Sequence, residues 1–88
     1  MDGWIGVDLD GTLAYYGEWV SIDHIGEPIP AMLARVKAWL AEGRDVRIFT
    51  ARVSDPAQAE RARHVIQNWC IEHLGEVLPI TNQKDFHM

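Results

Sequence analysis

Three short apolar runs alternate with two longer segments of helical period, and this alternation constrains the fold more than any other feature of the chain. The runs are Trp4-Ile5-Gly6-Val7, Val46-Arg47-Ile48-Phe49 and Val77-Leu78-Pro79-Ile80. The first helical segment carries Ile29, Met32, Leu33, Val36 and Leu40 at spacings of three and four, one apolar stripe. Pro30 suits its first turn, and Gly43 supplies its stop. In the second, Asp55-Pro56-Ala57-Gln58 is expected to start the helix, with Asp55 as N-cap. Ala62, Val65, Ile66 and Trp69 face inward, and the helix ends near Leu74 before Gly75. Strand, helix, strand, helix, strand predicts right-handed crossovers and a parallel sheet. Ligands of such sheets lie beyond the carboxyl ends of the strands.

The chain's 88 residues make one small domain, and 48% hydrophobic with 24% charged residues is a globular balance, not a disordered one. No apolar run approaches the ~20 residues of a membrane span, and the N-terminus has no basic region of a secretory leader. Cys70 stands alone, which points to a reducing cytoplasm and rules out a Cys-rich zinc site. The net charge of −5 argues against nonspecific nucleic-acid binding. Six acids and no Lys or Arg fall within the first 34 residues, whereas all eight bases lie from Arg35 onward. Residues 14–28 set Tyr15, Tyr16 and Trp19 among Gly17, Gly26 and Pro28, the composition of a flap rather than a helix.

Three clusters follow the three strands. Asp8 and Asp10 are two apart where the first strand dissolves into a turn. A carboxylate there can coordinate Mg²⁺ or attack phosphorus, and a second can donate and accept the proton. A carboxylate ending a run of Trp, Ile and Val is costly unless it is used. Gly11 permits a tight turn and lets backbone amides approach an anion. Thr50 offers a hydroxyl and an amide to a phosphate oxygen. Arg52 is a candidate substrate contact, with a plain ion pair to Asp55 as its structural alternative. Lys84, after the third strand, is either a solvated charge or a counter-charge to acids and phosphate. His24, His64, His73 and His87 show no metal-ligand spacing. Cys70 beside Trp69 reads as packing. Trp4, Trp39 and Trp69 read as core, and Trp19 either packs or covers a substrate.

Asp8-Leu9-Asp10-Gly11-Thr12-Leu13 resembles the first motif of the haloacid dehalogenase (HAD) superfamily. Ile48-Phe49-Thr50-Ala51-Arg52 resembles the second, and Thr81-Asn82-Gln83-Lys84-Asp85-Phe86 the third. The order covers nearly the whole chain and is closest to the small, nearly capless bacterial and phage members. The resemblance implies a three-layer, Rossmann-like α/β fold, with residues 14–28 as a minimal cap, and a Mg²⁺-dependent phosphatase. Asp8 would be nucleophile and metal ligand. Asp10 would be general acid/base, with its backbone carbonyl on the metal. Thr50 would hold the phosphoryl group and Lys84 would stabilise its charge. The substrate would be a phosphorylated small molecule or a phosphorylated polymer end. The family's fourth motif, a further strand ending in acids, has no counterpart after Lys84, so the domain is expected to be C-terminally incomplete.

That departure keeps a second expectation open. Without a neighbouring strand, Trp4-Ile5-Gly6-Val7 would be an apolar sheet edge, and the chain a catalytically silent remnant that forms homo-oligomers or binds a partner through it. A receiver-type phospho-acceptor domain also uses acids, Thr, Lys and Mg²⁺. Its phosphorylated Asp follows a middle strand, an order this chain does not have.

Overall fold

A computed structural model describes residues 3–83. Strand β1 (Ile5–Asp8) leads through the 14–28 segment to helix α1 (Pro30–Ala41) and strand β2 (Val46–Phe49). A short 3-10 turn (Ala51–Val53) precedes helix α2 (Ala59–Leu74) and strand β3 (Ile80–Thr81). The sheet order is β1-β2-β3, and both pairings are parallel, as the alternation predicts.

Register explains which side chains are buried. Ile5 lies opposite Val46, and Val7 opposite Ile48, which in turn lies opposite Ile80. Paired residues of a parallel sheet share a face, and this face is the core. Val7, Val46, Ile48 and Ile80 pack there with Val36 of α1 and with Ala62, Ile66, Trp69 and Cys70 of α2. Burying a side chain such as Ile48 or Ile66 contributes about 1.5–3 kcal/mol. Both helices therefore cover the same face. Sequence-consecutive strands that are also neighbours, joined by right-handed crossovers, put their helices on one side. The described residues form two layers, not the three expected. Trp4 is also buried but points to the other face, with the Arg47 guanidinium 4.7 Å from its ring centroid.

Two boundaries differ from the sequence expectation. Helix α2 begins at Ala59 because the Asp55 carboxylate accepts from the Ala57 amide and the Asp55 carbonyl from the Gln58 amide. Asp55 thus closes a turn ahead of the helix. Strand β3 shrinks to Ile80–Thr81, since Pro79 has no amide to give a ladder and Val77 is half exposed. Gly75 ends α2 with a left-handed φ of 82°, as its position implies. No helix among the described residues is long and apolar enough to cross a membrane.

The 14–28 segment is irregular but fastened. Ala14 bridges to Pro28 at its base, and the Tyr15 amide donates to the Glu27 carbonyl at 2.9 Å. Further along, Trp69 Nε1 of α2 donates to the Gly26 carbonyl at 3.0 Å, and Arg61 Nε donates to Asp23 Oδ1 at 2.6 Å. Asp23 holds the Arg61 guanidinium above its ordinary pKa.

Candidate active site at the strand ends

The loop after β1 alternates between core and cleft. Leu9 and Leu13 are fully buried, and the Leu13 amide donates to the carbonyls of Asp8 and Leu9. These anchors hold Asp8 outward, exposed at the carboxyl end of β1. Asp8 pairs in register with Phe49, the residue before Thr50. Gly11 turns the chain with φ 86°, a backbone conformation that favours glycine. Its amide donates to the Ala14 carbonyl at 2.8 Å, so Gly11 shapes the turn and its own N–H is not presented to an anion. The matching bond runs from the Ala14 amide to the Leu9 carbonyl at 2.9 Å. Neither of these two bonds uses the Asp10 carbonyl oxygen.

Thr50 is buried at the carboxyl end of β2. Its amide donates to the Thr81 carbonyl at 2.9 Å and is therefore spent on the sheet, contrary to the sequence expectation. Its hydroxyl accepts from the Arg52 amide at 3.1 Å, capping the 3-10 turn. A hydroxyl that accepts still has its own proton to donate.

Arg52 ties these pieces together. Its side chain is only 5% exposed. Nε donates to Asp10 Oδ2 and Nη2 to Asp10 Oδ1, both at 2.8 Å, a bidentate charge-assisted pair. Nη1 donates to the Ile22 carbonyl at 3.3 Å, and the guanidinium carbon lies 5.0 Å from the Trp19 ring centroid. Arg52 thus pairs with Asp10, not Asp55, and joins the β1 loop, the β2 end and the flap. Asn82 Nδ2 donates to Ser54 Oγ at 3.0 Å, which brings the end of β3 against the same turn. Lys84 lies outside the described residues.

Between these elements and the flap lies a cleft of about 390 Å³. Asp10, Thr50 and Arg52 form its polar floor, and Tyr16, Trp19 and Ile22 of the flap form one wall. Asp55 and Gln58, on the turn before α2, stand at the same cleft. The sequence pattern assigns Gln58 only to starting a helix, and Asp55 to that start or to an ion pair with Arg52. Their place in the cleft follows from the turn at Asp55, which holds that segment against the strand ends. A larger open groove runs along α2 past Arg61, Arg63 and His64, but among the described residues its lining comes from positions 57–67 alone.

Cys70 is fully buried, and burial pushes its thiol pKa up to about 11 against a smaller opposing hydrogen bond with the Leu78 backbone. That is the state of a packing residue, not a nucleophile. No group of three or more His, Cys, Asp or Glu among the described residues could hold a metal ion. Mg²⁺ needs fewer protein ligands, since it keeps waters and shares substrate phosphates around one or two carboxylates. The exposed Asp8 carboxylate and the Asp10 carbonyl fit that reduced demand. Comparison with known proteins returned no matching family model, no matching curated protein and no matching solved structure.

Proposed function

We propose that this chain is a Mg²⁺-dependent phosphohydrolase of the HAD type, working through an aspartyl-phosphate on Asp8. The observation that carries the reading is that Asp10 and Thr50 line one cleft beyond two adjacent parallel strands, while Asp8 ends the first strand in register with Phe49, the residue before Thr50. An Asp8 carboxylate oxygen attacks phosphorus, and the bond to the ester oxygen breaks. Asp10 gives its proton to the departing oxygen, then takes one from the water that cleaves the aspartyl-phosphate and frees inorganic phosphate. Thr50 donates its hydroxyl proton to a phosphoryl oxygen. Both Asp10 carboxylate oxygens accept from Arg52, so Asp10 must leave that pair and take a proton from solvent before it can donate one, which frees the guanidinium to bind phosphoryl oxygens. Bound Mg²⁺ would supply charge neutralisation for the transferring group, held by Asp8 and the Asp10 carbonyl. Lys84 is assigned to the same charge through the resemblance of its motif. The test is hydrolysis of an aryl phosphate with Mg²⁺. Asp8→Asn is expected to reduce turnover at least ~1,000-fold, and activity that survives it refutes the assignment.

A second reading has its own support: β1 pairs on one side only among the described residues, so a second copy could extend the sheet along its other edge. Sedimentation velocity separates the two. A concentration-dependent dimer without phosphatase activity favours assembly, and an active monomer excludes it.

A further inference from the structure

We propose that the cleft takes a phosphate monoester whose alcohol carries a flat, hydrogen-bonding heterocycle, a nucleotide in its chemistry, with Trp19 and Tyr16 as the stacking surface. The proposal deepens the phosphohydrolase reading and rests on it.

Trp19 is 53% exposed and Tyr16 47%, and both line the cleft that holds Thr50 and Asp10. Arg52 already covers part of Trp19, and the area of that ring and of Tyr16 still in water beside a polar floor suits a flat apolar surface. The flap carrying them is fixed, not loose. Arg61–Asp23, Trp69–Gly26 and Arg52–Ile22 bind it to α2 and to the turn after β2. The rings are therefore presented in advance, which reduces the ordering cost of stacking. The cleft, at about 390 Å³, falls in the range of small-molecule sites and has far more room than a phosphate group requires.

Gln58 and Asp55 narrow the choice of ring. An amide offers both donor and acceptor, and a carboxylate accepts from a ring amino group. Both residues are exposed at the cleft, and Asp55 Oδ1 already accepts from the Ala57 amide, so a heterocycle gains hydrogen bonds there that a plain aryl ring cannot make. An aliphatic phosphate would leave Trp19 and Tyr16 uncovered. The cationic end of Arg52 sits against Trp19 and above Asp10, so the ring and phosphate subsites adjoin.

Equilibrium binding on the full chain carrying Asp8→Asn, which spares the ester probes from turnover, tests this with Mg²⁺ present using AMP, adenosine, phenyl phosphate and glycerol phosphate, and hydrolysis of the three esters is followed separately with the unsubstituted chain. AMP is expected to bind about ten- to a hundred-fold more tightly than glycerol phosphate, the worth of one stacked base. Trp19→Ala should remove that advantage while leaving glycerol phosphate within about two-fold, and Trp19→Phe should restore most of it. Equal binding of AMP and glycerol phosphate, or an equal loss of both in Trp19→Ala, overturns the proposal. Phenyl phosphate binding as tightly as AMP overturns the hydrogen-bonding edge. Failure here is distinct from failure of the parent reading. Adenosine bound in a Trp19-dependent manner by a protein that hydrolyses no ester keeps the ring site and removes the phosphohydrolase. Indiscriminate hydrolysis of all three esters does the reverse.

Discussion

Arg52→Ala should be among the most damaging single substitutions in this protein. It removes both charge-assisted bonds to Asp10 at 2.8 Å, the bond to the Ile22 carbonyl and the stack on Trp19. Breaking a fully buried ion pair from one side costs about 3–5 kcal/mol, mostly because the remaining charge has no partner. Asp10 retains 23% side-chain exposure, so water recovers part of that loss. The pair then accounts for about 2 kcal/mol and the flap contacts for about 1 more. A total near 3 kcal/mol is a large share of the 5–15 kcal/mol typical of a domain. With a urea m-value of about 1 kcal/mol/M, expected for so short a chain, the midpoint falls by about 2–3 M. A double-mutant cycle with Asp10→Ala isolates the pair and should give a coupling energy of at least about 1.5 kcal/mol. Added salt should leave that coupling nearly unchanged, because Arg52 is screened from solvent. A coupling below about 0.5 kcal/mol, the size of an exposed pair, would refute the reasoning.

Three further outcomes follow from geometry. Burial holds the Cys70 pKa at about 11 against an ordinary 9.0, so the unfolded chain ionises first. Stability should hold up to pH ~9 and decline by about 3 kcal/mol between there and pH ~11, and Cys70→Ala should flatten that decline in alkaline urea titrations. Gly26→Ala places a methyl group against the Tyr15 carbonyl oxygen, backbone on backbone. It should cost several kcal/mol (roughly 3) by thermal melting. The exposed Asp45, whose pKa Arg47 lowers through a hydrogen bond, makes a surface pair only. Asp45→Asn should leave the melting temperature unchanged within error.

Much of the scaffold was legible because periodicity is local. The stripe through Val36 and the alternation at Val46 and Ile48 each report their own element; Val36, Val46 and Ile48 are buried, and Met32, Leu33 and Leu40 pack partly buried against the core. Glycine stops were legible for the same reason: Gly75 needs only its own backbone to end α2. The start of α2 was misread because Asp55 and Pro56 satisfy a helix-start pattern that the turn at Gln58 uses differently. That Asp8, Asp10 and Thr50 lie at the strand ends was legible from their places after strands. The bond between Asp10 and Arg52 was not, because it joins residues 42 apart and no local pattern encodes it. Nor did sequence reveal that the Thr50 amide is committed to Thr81, since that depends on how β2 and β3 register. The cleft wall at Asp55 and Gln58 was hidden for a related reason, arising only once the turn is set against the strand ends.

The strand pairings also set an order of assembly. Ile5 must find Val46, and Ile48 must find Ile80, each across an intervening helix. Neither pairing is local, so loop-closure entropy opposes both until the core forms. The helices can flicker into place from their own sequence, but the sheet cannot. A chain emerging from the ribosome exposes Asp8 and Asp10 well before Arg35, the next Lys or Arg after them, and Arg52 arrives only after the end of β2. Until then the acids are ordinary solvated carboxylates. The cleft exists only when β1 has docked on β2, and whatever undocks that strand dismantles the site in the same step.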